Sequence, residues 1–294
     1  MFGLFESKPK AASLAGKEAI LLFDIGGTKM RVAASVDGVT FGEPKIGATP
    51  LEFEEGMDAF QSLAKSVLLG AKAKIAVGAS AGILSKDKRS FFRMPNLPKW
   101  QGKNLAEEME KRLGCSVYLE NDAALGGLGE ATAGAGKGAP ILVYFTVSTG
   151  VGGARIVNGK IDARVASFEP GHQIMDRATG EELEEVVSGT AVKKRFKVNP
   201  WELSDLASRE ELADELAYGL YNSVLHWSPD VVVLGGSMIV GVNEIPINRI
   251  EQTLKRLLTY FPEGPELRKA KLGDVGGLHG ALAYAKQVLE KPTA

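Results

Sequence analysis

The residues of this chain best suited to chemistry are carboxylates and glycines that fall together at the ends of apolar runs. Glu18–Phe23 stops at Asp24-Ile25-Gly26-Gly27-Thr28-Lys29, and Ser116–Leu119 delivers Glu120-Asn121-Asp122. Ile141–Thr146 runs into Ser148-Thr149-Gly150-Val151-Gly152-Gly153, and Val231–Leu234 ends in Gly235-Gly236. Ligands of open α/β sheets sit outside the carboxyl ends of strands, where glycine lets backbone N–H groups approach an anion with no Cβ in the way. One such turn is ordinary punctuation. Three of them, two with a hydroxyl at Thr28 or Thr149, point to a polyphosphate cradle. Neither G-x-G-x-x-G nor G-x-x-x-x-G-K-[ST] occurs, so the cradle is of neither the dinucleotide nor the P-loop kind.

The elements that must carry these turns follow from periodicity. Glu18–Phe23 and Met30–Ser35 flank the first glycine turn as a hairpin. Phe53, Met57, Phe60, Leu63, Ala64, Val67 and Leu68 recur at helical spacing over 52–72. Lys74–Val77 reads as a strand, 104–113 as a helix ended by Gly114, and Ala123–Ala133 as a helix of small residues. Ala154–Val157 leads into the Asn158-Gly159 hairpin signal. Helices are expected over 181–196, 209–226 and 276–289. Strands alternate with helices throughout, so the class is α/β.

Composition narrows the partners. The 294 residues suit two domains of about 100–200 residues each. Lys+Arg 35 against Asp+Glu 36 leaves a net charge of −1, which offers no field to attract nucleic acid or an anionic membrane. No apolar run approaches the roughly 18–20 residues of a membrane span, so a soluble protein is expected. Cys115 stands alone, which excludes an internal disulfide and a multi-cysteine zinc cluster and fits a reducing, cytoplasmic setting. Glycine, 35 of 294 or about 12%, exceeds the usual ~7%. Residues 1–17 lack the continuous apolar stretch of a secretory signal and are expected to be a poorly ordered extension.

Taken together, these motifs resemble a known family. Asp24-Ile25-Gly26-Gly27-Thr28-Lys29 is similar to the first phosphate loop of sugar kinases with the actin/hexokinase ATPase fold. Glu120-Asn121-Asp122-Ala123, Thr146–Gly153, Glu169-Pro170-Gly171-His172, Glu184 with Ser188-Gly189-Thr190-Ala191, Leu234-Gly235-Gly236 and Leu272-Gly273-Asp274 resemble the ROK family in order, over residues 18–285. The resemblance implies a two-lobed actin-like (ribonuclease H-like) ATPase with nucleotide and sugar in the cleft between lobes. Residues 18–120 with 277–294 would form the first lobe and 121–276 the second, because the last helix crosses back. A homodimer is common in that family.

The implied reaction is transfer of the ATP γ-phosphoryl group to the 6-hydroxyl of a hexose, glucose first, as in glycolysis. Asp24 would orient Mg²⁺ directly or through water, or alternatively cap the hairpin turn through its own backbone. Gly26, Gly27, Thr28 and Lys29 would hold the β- and γ-phosphates, with Lys29 equally readable as a solvated hairpin charge. Thr149, Gly150 and Gly152 would face the other side, with Gly235 and Gly236 near the adenosine. Asp122 is the candidate general base. It is also suited to cap the helix that follows, and the two roles are compatible if Asn121 caps. For the sugar the resemblance supplies Asn96, Asn121, Asp122, Glu169, His172 and Glu184, with Gly82 packed near the ring. His226 and His279 read as packing or surface residues.

Two departures matter. Family members typically carry a C-x-C-G-x-x-G-C zinc knuckle after the histidine, whereas QIMDRATGEELEEV follows His172 with no cysteine, so zinc is not expected. Arg155 stands where family members continue an apolar strand. Zinc-free relatives include polyphosphate glucokinases, which keeps polyphosphate open as donor. N-acetylmannosamine, N-acetylglucosamine, mannose and fructose stay open as acceptors. The non-enzyme alternative is a sugar-binding regulatory protein of the same family; about 20 residues before Asp24 are too few for a helix-turn-helix domain.

Overall fold

The computed structural model describes residues 13–80, 82–261 and 263–290; the expectations for residues 1–12 and 291–294 lie outside them. The first half of the chain forms β1 (Glu18–Ile25), β2 (Lys29–Ser35), β3 (Lys45–Ala48), α1 (Phe53–Leu68) and β4 (Lys72–Ser80). A small hairpin of β5 (Ile83–Leu84) and β6 (Phe91–Arg93) follows, then α2 (Leu105–Leu113) and β7 (Ser116–Asn121). The sheet runs β3-β2-β1-β4-β7, antiparallel on the hairpin side and parallel between β1, β4 and β7.

The second half repeats this plan. α3 (Asp122–Thr132) leads to β8 (Ile141–Val147), β9 (Val151–Val157) and β10 (Lys160–Ile161). Then come α4 (Leu183–Val187), α5 (Gly189–Phe196), α6 (Leu206–Trp227), β11 (Val231–Gly235), α7 (Ser237–Val240), α8 (Ile247–Leu257), β12 (Glu266–Lys269) and α9 (Gly276–Leu289). Its sheet, β10-β9-β8-β11-β12, has the same order of hairpin and parallel strands. Two α/β lobes of the actin-like ATPase type result, as the resemblance implies.

Each strand that carries a site motif is apolar because both its faces are covered. One face of the first sheet packs on α1 and α2 through Phe23, Phe60, Met57 and Met109. One face of the second packs on α6 and α8 through Phe145, Leu216 and Leu254. The remaining faces share a core with α3 and α9, built from Leu22, Val77, Leu125, Leu128, Val233 and Leu282.

Several expectations need correction. The span 181–196 is two helices, because Ser188 takes φ −73 and ψ 166 and its side chain caps Ala191 N at the start of α5. Residues 13–17 are held in place: Leu14 N donates to Leu69 O at 2.9 Å, and Lys17 O accepts from Lys72 N at 2.9 Å. β3, the β5–β6 hairpin, α8 and β12 go beyond the sequence reading. β3 and β12 are four-residue edge strands, the latter Glu-Leu-Arg-Lys, too short and too charged to show alternation. Among the described residues no helix is long and apolar enough to cross a membrane.

α3 and α9 approach closely through glycine. A Cβ on Gly280 would overlap the Leu125 carbonyl oxygen, and one on Gly129 would overlap the Gly276 carbonyl oxygen. Gly280→Ala is therefore expected to lower unfolding free energy by about 1–3 kcal/mol, the usual range for overpacking, measured by urea denaturation. An unchanged midpoint would show that the helices can part freely.

Candidate active site

The strand ends named by the sequence converge. Asp24 is the last but one residue of β1, Asn121 ends β7, and Thr146 and Val147 end β8. Asn121 has φ −70 and ψ 145, and its Oδ1 accepts from Ala124 N at 3.1 Å, so it is the N-cap of α3. That leaves Asp122 as the first helical residue, with Oδ1 accepting from Ala123 N at 2.8 Å. No hydrogen bond engages its Oδ2 among the described residues.

Two cavities meet at Asp122. The larger, about 480 Å³, is lined by Gly82, Arg93, Asn96, Asn121, Asp122, Thr149, Gly150, Gly152, Glu169, His172 and Glu184. Every sugar residue expected from the sequence lies on this wall. The smaller, about 290 Å³, is lined by Asp24, Arg31, Asp122, Glu130, Tyr144, Gly236, Gly273, Asp274, Gly276 and Gly277. Asp122, Thr146 and Ser148 belong to both. One carboxylate thus faces a chamber rich in hydrogen-bonding side chains and a chamber lined by glycines.

The electrostatics distinguish the acids. Burial pushes Asp24 up to about 6, with Asp122 adding to the rise and Arg31 opposing it. Arg31 bridges Asp24 Oδ2 at 3.4 Å and Asp274 Oδ2 at 2.8 Å. The protein around the cleft floor likewise raises Asp122, although its side chain reaches solvent. Glu169 is raised by burial, offset in part by His172 and Arg93. A neighbouring hydrogen bond, His172 Nδ1 to Glu182 Oε2 at 2.6 Å, raises the histidine and favours its charged form.

The glycines divide into several uses. Gly82, at φ +145, could not carry a side chain without overlapping Arg93 O, and its own carbonyl accepts from Asn121 Nδ2 at 3.3 Å. Gly150 makes room for Glu184, whose Oε2 accepts from Val151 N at 2.7 Å. Gly236, at φ +88, lines the smaller cavity. Gly235 instead faces Tyr144, whose hydroxyl lies 2.7 Å from where its Cβ would stand. Gly26, Gly27, Thr28 and Lys29 line neither cavity. Their turn closes on itself from Gly26 N to Lys29 O at 2.9 Å and is pinned by Thr49, and Lys29 is exposed. Gly27 instead makes room for Asn96, a residue of the larger cavity, since a Cβ on Gly27 would fall 2.5 Å from Asn96 Cβ.

Sequence reasoning missed Arg31 and Glu130. Glu130 is 2% exposed and accepts from Ala135 N at 2.7 Å, Lys271 N at 2.9 Å and Leu272 N at 2.8 Å. It thereby fixes the turn that brings Gly273 and Asp274 to the smaller cavity. Its signal was weak, a lone acid among small residues. His279 stacks edge-on against Phe41 at 4.8 Å and His226 is exposed, the packing and surface roles expected of them.

The family model for the ROK family matches residues 21–288. The chain belongs to the ROK family. It is similar to the ROK hexokinase of Thermus thermophilus, with 26% identity, a TM-score of 0.81, and coverage of 93% of this chain and 100% of that one. A ROK glucokinase from Streptomyces griseus, solved with glucose and AMPPNP, aligns with a TM-score of 0.77 at 24% identity over 92% of this chain and 99% of its own. The fructokinase of Zymomonas mobilis is 31% identical over 230 residues, 70% of this chain and 76% of that protein.

Within this ROK protein, hydrogen bonds hold the segment after His172, where the sequence has no cysteines. Met175 N donates to Glu181 O at 2.7 Å, Gly180 N to Asp176 O at 2.8 Å, and Leu183 N to Gln173 O at 2.9 Å. Asp176 accepts from Ala178 N at 2.7 Å and Thr179 Oγ1 at 3.0 Å. Gln173 Nε2 ties the strap to Pro170 O at 2.8 Å and to Ser223 of α6 at 3.2 Å. Arg155, anomalous for an apolar strand, donates from Nε to Trp227 O at 2.9 Å at the end of α6 and pairs with Asp162. Because the folded state raises the His172 pKa, the pair's stabilisation is present below about 6.5 and is lost as pH rises through the folded value. Glu182→Gln is therefore expected to destabilise more at pH 6 than at pH 9, read from paired thermal melts. Equal effects at both would separate Glu182 from the imidazolium.

Proposed function

We propose that the protein is an ATP-dependent hexose kinase that phosphorylates the 6-hydroxyl, with glucose as the first candidate. The observation that carries this reading is Asp122 standing on the wall shared by the two cavities. At about 480 Å³ the larger lies within the ~300–1,000 Å³ of small-molecule sites. Asn96, Asn121, Glu169, His172 and Glu184 there offer the mixture of donors and acceptors that ring hydroxyls need, and a site built for hydroxyls rejects analogues lacking them.

The smaller cavity suits the triphosphate. Gly273, at φ +52, has no atom within 4 Å of a would-be Cβ, and α9 opens on the same space with Gly276 and Gly277. Arg31 supplies positive charge there. Magnesium fits as well: it keeps several waters and takes one or two protein carboxylates, which Asp24 and its surroundings can offer. Bound with the nucleotide, it would neutralise the charge on the phosphate oxygens.

In the reaction the sugar oxygen forms a bond to the γ-phosphorus as the bridging oxygen takes the electron pair of the bond it loses. Asp122 Oδ2, free of hydrogen bonds within the described protein, accepts the hydroxyl proton as charge develops. Its upward-shifted carboxyl is a better match for that proton than an ordinary aspartate. Arg31 orients Asp24 and the phosphates. The cysteine-free segment after His172 keeps polyphosphate as a second donor to be tested, and fructose, mannose and N-acetylhexosamines as further acceptors.

A coupled assay of ADP release across that sugar panel, repeated with polyphosphate and sugar phosphate detection, tests the reading. Turnover of no sugar, with sugar binding retained, would assign the chain to the regulatory branch. Asp122→Asn is expected to leave sugar affinity nearly intact while kcat drops about 10²–10⁴-fold; wild-type turnover would remove Asp122 from the base role. The pH profile is a second check. Asp24, raised to about 6, is charged mainly above that pH, so kcat/KM for the nucleotide should fall as pH drops through about 6. Arg31→Met, which removes the opposing cation, should move that limb upward; an unmoved limb would assign it elsewhere.

A further inference from the structure

We propose that Glu120 is a positioning residue that latches the two walls of the hexose cleft beneath the proton acceptor; the proposal rests on the cleft being a sugar site. Glu120 is 0% exposed and lies two residues before Asp122. Its Oε2 accepts from Lys88 Nζ at 2.7 Å, and its Oε1 from Arg164 Nη2 at 2.5 Å and from Asn121 N at 2.9 Å. One buried carboxylate therefore holds two cations and the backbone of the α3 N-cap.

The two cations come from opposite sides of the cleft. Lys88 sits at φ +56 in the turn of the β5–β6 hairpin, whose flanks send Ile83 and Arg93 to the larger cavity. Arg164 belongs to the loop after β10, in the second lobe, and its guanidinium lies 5.7 Å from the Phe168 ring. Phe168 and Glu169 line the other wall of the same cavity. The Lys88 ammonium also faces the Tyr284 ring of α9 at 5.9 Å. A charge with its partners fixed at this depth holds geometry, since an unpaired buried carboxylate is strongly disfavoured. Breaking the latch frees Glu169 on one wall and the β5–β6 hairpin on the other, both of which border the sugar rather than the nucleotide.

The test is a double-mutant cycle of Glu120→Gln and Arg164→Met, with Lys88→Met and the conservative Arg164→Lys alongside in case the buried change prevents folding. Latch loss is expected to raise KM for the hexose about 10-fold or more, with KM for ATP changed less than about two-fold, as misplaced positioning groups do. The double variant should be no worse than the worse single one, and Arg164→Lys should recover most of the loss. Calorimetric hexose affinity is read in parallel, so a chain that binds sugar without turnover still tests the latch. Unchanged hexose KM and affinity in the Lys88 and Arg164 variants, or losses that multiply in the double variant, overturn the latch while leaving the kinase reading standing. Absence of both turnover and binding for every sugar on the wild-type chain overturns the two together.

Discussion

The close crossing of α3 and α9 is the constraint on which the rest depends. Both helices lie between the two sheets, and glycine against backbone lets them touch, Gly129 against the Gly276 carbonyl and Gly280 against the Leu125 carbonyl. With larger residues there the sheets would stand further apart, and Asp24 on β1 could not share a cavity with Asp122 on α3 and Gly277 on α9. Small residues in α3, which cost helix propensity at each glycine, are thus explained by packing and by the site together.

The same crossing concentrates negative charge. Asp122 adds to the upward shifts of Asp24 and Glu169, and Glu169 and Glu184 share the larger cavity with Asp122. Such an arrangement is stable only because cations and N–H groups answer it: Arg31 on Asp24, Val151 N on Glu184, His172 near Glu169. A site holding this many acids is poised to gain from a bound cation and from hydroxyl donors, and would repel a free anion without one.

The central strands and the strand-end motifs were legible in the sequence because continuous apolar runs ending in Gly or Asp have few other readings. Asn121 as cap and Asp122 as the neighbour left over follow from local chemistry alone. Harder to see were contacts across the chain. The position of Gly26–Lys29 relative to the cavities depends on Thr49, and that of the Gly273 turn on Glu130, 142 residues from Leu272. Gly235 reads like Gly236 in sequence, yet it accommodates Tyr144. The split at Ser188 was hidden because apolar spacing carries on from α4 into α5, and only the hydroxyl's capping geometry breaks it.

The division of labour we propose for the two aspartates follows from their partners. Asp24 already has a cation at 3.4 Å, and that cation is shared with Asp274, so its charge is committed to the glycine-lined cavity. Asp122 has one oxygen fixed by Ala123 N and a second without a hydrogen bond among the described residues, on the wall between both cavities. A proton acceptor must hold its orientation while keeping one lone pair open toward the donor, and a metal-side carboxylate must be charged when the nucleotide arrives. The Ala123 bond meets the first requirement and the Arg31 bridge the second. Exchanging the two environments would leave the proposed base neutralised by arginine and the proposed metal-side acid with no cation to hold it ionised, so the proposed roles rest on what surrounds each carboxylate.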